Sequence, residues 1–331
     1  MRVPLPAAMI TTSTAPPVLA FFEIYVMPLS IRPVTQLFQL FHIIGGLPAL
    51  LLTLLLALAI AGCSAVKLGY HNAPELSYWW LDSYLDFNDT QSSRVRVDLA
   101  ALQAWHRSSE LPVYVSTMEK LQRMAAHSVT SEQVCDLFAE FKSRFQAIID
   151  QTEPTIVALA PTFKAEQLDH LARQFDRRNQ KWREEWLAGS PAERSARRVK
   201  QLAERTEMFY GRLEEPQLAV LRASVVASGF DAAFIYRETL RRQQDALQTL
   251  HQLQSGTLTE LRARAEVRAL LGRSMNSPDA AYQSYLGKMT RESCKTFATL
   301  HNSSTPTQRH KVIETLRNYE TDAQALMALR R

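Results

Sequence analysis

Chemistry in this 331-residue chain rests on a short roster of side chains: three cysteines, eight histidines and carboxylates spread along its length. Cys63 stands apart. It closes the string Leu58-Ala59-Ile60-Ala61-Gly62-Cys63, in which a thiol follows two small residues and an aliphatic run. A cysteine sulfur is a nucleophile, and small neighbours leave its backbone open to a modifying enzyme. Cys135 and Cys294 lie in helical patterns, VCDLF at 134–138 and CKTF at 294–297. In an oxidising compartment they form a candidate disulfide, with two buried free thiols as the alternative.

The other groups offer less. His71, His106, His127, His170, His251, His301 and His310 follow Cys63, and none forms H-x-x-x-H or stands at metal spacing from a cysteine. No G-x-S-x-G string is present. Glu184 and Glu185 are adjacent and point to different helix faces, a poor acid–base pair. No cofactor, metal or catalytic set is expected, and the chain reads as a non-enzyme.

The elements that must position these residues follow from composition. Gly is only 10 of 331, too few for many hairpin turns or phosphate-cradling loops. The net charge of +5 is far below that of a dedicated nucleic-acid binder, so no nucleic-acid partner is expected. Residues 43–62 are 20 consecutive uncharged residues, as a helix ~30 Å long, about one hydrocarbon thickness. They end at Cys63, and the junction resembles the bacterial lipobox.

That resemblance implies diacylglycerol on Cys63 Sγ, cleavage before it, and an N-acyl chain on the new amino group. Two or more acyl chains anchor a protein stably. The alternative is an uncleaved transmembrane anchor. Ser64 follows rather than Asp, which by analogy with bacterial sorting rules favours export to the outer membrane, and the expected address is its periplasmic face. Residues 1–26 fit a leader poorly, and Met27 is a plausible start. The expected organisation is a signal peptide over 1–62 and a lipidated periplasmic domain over 63–331.

That domain reads as all-α, an irregular bundle of about eight to ten helices. Leu168, Leu171, Phe175, Trp182 and Trp186 share one face of a helix over about 163–188, stopped by Gly189-Ser190-Pro191. Val199, Leu202, Thr206, Phe209 and Leu213 stripe the next helix, and Leu240, Leu247, Leu250 and Leu253 a later one before Ser255-Gly256. Glutamines recur just inside helix starts, at Gln91, Gln133, Gln167, Gln217 and Gln308. Thr130 and Thr305 complete capping boxes with Gln133 and Gln308, and Asn88 with Gln91 is a near variant. Lys164 and Glu214 lack the capping hydroxyl. The intervals between these glutamines are unequal, so no solenoid repeat exists.

Two stretches are candidate contact surfaces. The helix 75–87 is apolar on two faces, Leu76, Trp80, Tyr84 and Phe87 on one, Tyr78, Leu81 and Leu85 on the other. A core helix is the default reading, and a membrane-interface belt including Trp79 is the alternative. Residues 172–200 hold the densest basic run, including Arg177, Arg178, Arg197 and Arg198. A solvated face is the default there, and contact with anionic headgroups or acidic clients the alternative.

Specific strings carry a family resemblance over nearly all of 63–331: GYHNAP at 69–74, YWWLD at 78–82, DFND at 86–89, AWHR at 104–107, WREEW at 182–186, AER at 203–205, FYGRL at 209–213, RRQQD at 241–245 and HN at 301–302. The chain resembles a family of uncharacterised proteobacterial lipoproteins, a domain of unknown function. The resemblance implies no activity. It implies cysteines at the places of Cys135 and Cys294, which favours their pairing. A weaker likeness is to Spy-type periplasmic chaperones, through Thr130-x-x-Gln133 and Thr305-x-x-Gln308. The expected function is an outer-membrane-anchored, non-enzymatic binding or scaffold module, with membrane lipid, envelope proteins or anionic headgroups as partners. A lipoprotein chaperone is the alternative, and charge reversal at Arg177, Arg178, Arg197 and Arg198 would separate the two. A cell-wall hydrolase ranks third and requires a cleft with a perturbed carboxylate.

Overall fold

A computed structural model describes residues 65–328. Residues 1–62 and Cys63, with the signal-peptide and lipobox expectations that fall on them, lie outside the described residues. Among the described residues the fold is all-α. The helices are α1 (Ala65–His71), α2 (Ala73–Leu85), α3 (Asp89–Trp105), α4 (Leu111–Ala125), α5 (Ser131–Asp150), α6 (Glu153–Leu159), α7 (Ala165–Trp182), α8 (Pro191–Tyr210), α9 (Glu215–Ala227), α10 (Ala232–Gln254), α11 (Glu260–Met275), α12 (Ala280–Asn302) and α13 (Pro306–Ala328). They outnumber the eight to ten expected, because seven-residue elements such as α1 and α6 carry too few apolar repeats to register as a period.

Local chemistry sets the breaks. A π-turn, His106–Glu110, joins α3 to α4. Pro112 has no N–H to give to Ser108, and the extra residue of a π-turn absorbs the mismatch. A second π-turn, Arg183–Leu187, ends α7 before Gly189, whose φ of +86° suits glycine. Arg194 and Arg197 then reach back from α8 to the carbonyls of Leu187, Gly189 and Ala188, satisfying acceptors that the helix end leaves open. Ser190 caps α8 with Glu193 at its third position.

Four helix starts meet in pairs. Gln91 near the start of α3 and Gln167 near the start of α7 face each other in the interior. Gln167 Nε2 donates to Gln91 Oε1 at 2.9 Å, and Gln91 Nε2 donates to Gln167 Oε1 at 3.3 Å. Each Nε2 also donates to the carbonyl five residues before its partner, Thr162 O at 3.0 Å and Asp86 O at 2.9 Å. Each Oε1 also accepts its own N-cap N–H, from Asn88 at 3.1 Å and Lys164 at 3.0 Å.

The same arrangement recurs between α9 and α13. Gln217 Nε2 donates to Gln308 Oε1 at 2.6 Å, and Gln308 Nε2 returns the bond at 2.9 Å. The five-back carbonyls are Ser303 O at 3.5 Å and Arg212 O at 3.0 Å. The caps are Glu214 N at 2.8 Å and Thr305 N at 3.0 Å. All four glutamines are buried. Each amide thus fills two donor and two acceptor positions, its whole hydrogen-bonding capacity. One turn further into each helix stands a buried apolar residue, Val95, Leu171, Leu221 and Val312. Gln133 completes the box with Thr130 that the sequence predicts but is exposed, and it caps without joining a second helix start in this way.

Each amide pair borders its own core. Tyr78, Val95, Leu159, Phe163 and Leu168 surround the first, with Leu253 and Val267 from α10 and α11. Tyr210, Leu213, Leu221, Leu300, Val312 and Leu316 surround the second, with Ala125 from α4. The long helix α13 runs against α4, and α12 against α5. Of the predicted stripes, Leu168, Leu171, Trp182 and Trp186 are buried, whereas Leu240 is exposed at the surface of α10.

Cys135 on α5 and Cys294 on α12 have their sulfurs 1.99 Å apart, bonding distance, and Val129, Val134 and Ala298 pack around them. The pair spans a sequence separation of 159. Closing so long a loop restricts the unfolded chain by about 3–5 kcal/mol in the entropy model. Reduction with dithiothreitol is expected to lower the free energy of unfolding in urea by about that amount. An unchanged urea midpoint after reduction would show that the cross-link does not hold α5 to α12.

Candidate functional site

The aromatic helix α2 starts at Ala73-Pro74, where proline at the first turn loses no needed hydrogen bond. One of its faces is core. Tyr78 is buried, donates to Ser92 Oγ at 2.9 Å, and lies under the Arg96 guanidinium at 3.6 Å. Leu81 and Leu85 continue that stripe into the first core. The other face is open: Leu76, Trp79 and Trp80 are 46%, 49% and 51% exposed. The core reading of this helix is therefore corrected for Leu76 and Trp80. The stripe Tyr78–Leu81–Leu85 meets α3 and the first core, and of the stripe Leu76–Trp80–Tyr84–Phe87 only Phe87 packs against that core.

α7 lies alongside α2 in the antiparallel sense. The His170 ring is 3.1 Å from Ser83 O, the Phe175 ring centre is 6.3 Å from that of Tyr84, and Arg178 Nη1 donates to Tyr84 Oη at 3.2 Å. Trp80 packs on Tyr84 with ring centres 5.0 Å apart. Arg177 is exposed on the same helix, its Nε donating to Gln174 Oε1. Trp79, Trp80, Tyr84, Arg177 and Arg178 are thus brought to one region by the pairing of α2 with α7.

Arg197 and Arg198 do different work. Arg197 holds the carbonyl of Ala188 at 2.8 Å. Arg198 lies over the Phe230 ring at 4.2 Å and donates to Ser228 Oγ, and burial lowers its pKa. The structure does not bring the four arginines to one place: the α8 pair contacts the turn after α7 and the segment before α10.

Two carboxylates, Glu238 and Asp245, are paired with arginines. Burial opposes the charge of Glu238, yet hydrogen bonds from Arg241 and Arg242 hold its carboxyl below the ordinary range. Asp245 is held low by hydrogen bonds from Arg273 on α11. Hydrogen bonds likewise hold Glu132, Glu140 and Glu193 below the ordinary carboxylate range. Sequence spacing foreshadows the Glu238 and Asp245 contacts with Arg241 and Arg242, but not the reach of Arg273.

His106 lies in the first π-turn, its Nδ1 3.1 Å from Tyr70 Oη, and burial pushes its pKa down to about 4. His301 Nδ1 is 2.7 Å from Tyr210 Oη and its Nε2 2.9 Å from His127 O; burial lowers it too. Two open surface concavities, of about 720 and 520 Å³, border the starts of α3 and α13. Arg94 and Lys164 line the first, and Arg309 and His310 the second. Among the described residues no group of three or more His, Cys, Asp or Glu is placed to hold a metal ion, and no single helix is long and apolar enough to cross a membrane.

Comparison with protein families gives one match, a family of unknown function (DUF6279), over residues 83–268. The span includes the DFND, AWHR, WREEW, AER, FYGRL and RRQQD strings and Cys135, and leaves GYHNAP, YWWLD, HN at 301–302 and Cys294 outside it. No curated protein and no solved structure matches the chain.

The buried groups set a pH dependence with a definite sign. His106 and His301 have folded pKa values below the ordinary histidine value of ~6.5. Their contribution to stability is complete above that pH and is lost as pH falls toward about 4, the value for His106. Glu238 and Asp245, also lowered, add their loss below the ordinary carboxylate range, ~4. Urea titrations at falling pH are expected to show a first loss of stability between pH ~6.5 and ~4, on the order of 3 kcal/mol. His106→Asn is expected to flatten that first limb. An unaltered limb in the variant would assign it to other groups.

Proposed function

The chain belongs to that family of unknown function, DUF6279, and on this premise we propose that it is a lipid-anchored, non-enzymatic binding or scaffold module on the periplasmic face of the outer membrane. The observation that carries the reading is the junction at Cys63. An uncharged 20-residue run ends in Leu-Ala-Ile-Ala-Gly-Cys, and helix α1 begins at Ala65, two residues on. A helical domain joined to its anchor by so short a segment stays against the bilayer. Its polar interior supports a scaffold: the buried glutamines bond to one another, and Glu238, Asp245 and their arginines close on themselves.

A tethered module of this kind works by presenting a fixed surface. Acylation of Cys63 would supply the attachment, at ~0.8 kcal/mol per buried methylene. The cross-linked helices α5 and α12 keep the rest of the domain from fraying on the membrane.

Intact mass of the membrane-extracted protein, beside a Cys63→Ala variant and without reductant, tests the proposal. The expected mass is that of residues 63–331 with an S-diacylglyceryl group and one N-acyl chain on Cys63, less two hydrogens for the Cys135–Cys294 bond. Cys63→Ala is expected to lose all three chains and the cleavage. A full-length, unacylated mass for the wild-type chain would replace the lipid anchor by a transmembrane one.

A further inference from the structure

The open side of α1 and α2 is the least protein-like surface of the described residues. Eleven large apolar side chains are exposed among the described residues, and five of them, Val66, Leu68, Leu76, Trp79 and Trp80, fall within residues 66–80. Scattered exposed apolar residues need no explanation, but a run of them does. Two are tryptophans, the side chain with the strongest preference for the level of lipid headgroups. The run begins three residues after Cys63.

Charge completes the pattern. From 173 to 183, α7 and the π-turn after it carry Arg173, Arg177, Arg178, Lys181 and Arg183 against the single acid Asp176. The contacts of Ser83 with His170 and Tyr84 with Arg178 fix α7 beside α2, so Arg178 and the exposed Arg173 and Arg177 lie on the helix that borders the tryptophan edge, whereas Arg183 donates to Tyr236 on α10. On α2 itself, Glu75 pairs with Arg96, and Asp82 accepts the Phe87 N–H. Neither carboxylate opposes an anionic surface alone.

We infer that the α1–α2 edge, with the basic stretch of α7 beside it, lies on the bilayer, the tryptophans at the headgroup level and the cations against anionic phospholipid. The inference rests on the proposed attachment through residues 43–63. α1 and α2 together are 20 residues, ~30 Å as helix, so a chain held at Cys63 keeps this edge within reach of the membrane. Tethering makes the contact intramolecular, so a weak interfacial affinity is enough to hold it closed. The consequence is orientation: one edge faces lipid, and the opposite surface is turned to the periplasm.

The test uses the full chain reconstituted into phosphatidylethanolamine–phosphatidylglycerol vesicles whose acyl chains carry bromine, a contact quencher of tryptophan. Trp182 and Trp186 are buried and Trp105 half-buried, so Trp79 and Trp80 carry the accessible signal. Brominated lipid is expected to quench wild-type fluorescence by up to about two-fifths, the share of Trp79 and Trp80 among the five tryptophans, and to leave a Trp79→Phe/Trp80→Phe variant nearly unaffected. Arg173→Glu/Arg177→Glu, which touches exposed positions only, is expected to reduce quenching in anionic vesicles and not in phosphatidylcholine. Intact mass on the same sample separates the two readings. Acylated protein without quenching overturns the docked edge and leaves the anchor standing. Unacylated protein with quenching overturns the lipid anchor and supports the edge, since residues 43–62 still hold the chain. Tryptophans shielded from both bromolipid and aqueous acrylamide face protein instead, and that result also overturns the inference.

Discussion

A side-chain amide buried without partners is costly, and a pair that satisfies each other is not. The domain depends on that asymmetry twice. Gln91 with Gln167, and Gln217 with Gln308, close two rings of amide–amide bonds at the points where helices start. Each glutamine also caps its own helix and holds the carbonyl of the chain entering the partner helix. Two turns far apart in sequence are thereby fixed against each other. The helices diverging from each pair then bury one core apiece.

The rest of the architecture builds on these two fixed points. In the first, Gln167 grips the carbonyls of Leu85 and Asp86, the exit of the aromatic helix. Asp86 adopts a left-handed backbone there, with φ 46°, and Asp82 caps the turn. The direction of α2, and with it the exposed placement of Trp79 and Trp80, follows from how this end is held. In the second, α13 is anchored at its start, and its length runs back along α4. The Cys135–Cys294 pair joins α5 to α12, whose C-terminal end leads into the second amide pair. Elsewhere in the interior Glu238 alone serves Arg241, Arg242 and Ser277.

Much of this was legible from residue types. Low glycine, the 3.6-residue stripes and the stops at Gly189-Ser190-Pro191 and Ser255-Gly256 point to the helices that are present. The capping boxes of Gln91, Gln133 and Gln308 are where the spacing puts them. Pairing was not legible. Gln91 to Gln167 and Gln217 to Gln308 are separated by different lengths of chain, so nothing periodic links them, and each glutamine alone is explained by its cap. The faces of α2 were likewise ambiguous, because a pattern apolar all round does not say which side other helices cover. The basic run misleads for a related reason. Arginines at 177 and 178 face the aromatic helix and solvent, whereas those at 194, 197 and 198 are consumed by turn carbonyls and an aromatic ring.

A double-mutant cycle across the first pair tests the organising role of the glutamines most directly. Gln91→Ala, Gln167→Ala and the double variant would be compared by urea unfolding. Each single change strands a buried amide and removes a cap, so each is expected to cost about 1–3 kcal/mol. The double variant is expected to cost less than the sum, with a coupling of about 1–2 kcal/mol. Costs that add, with no coupling, would contradict the account, because the two residues would then be independent helix caps and not one joint between α3 and α7.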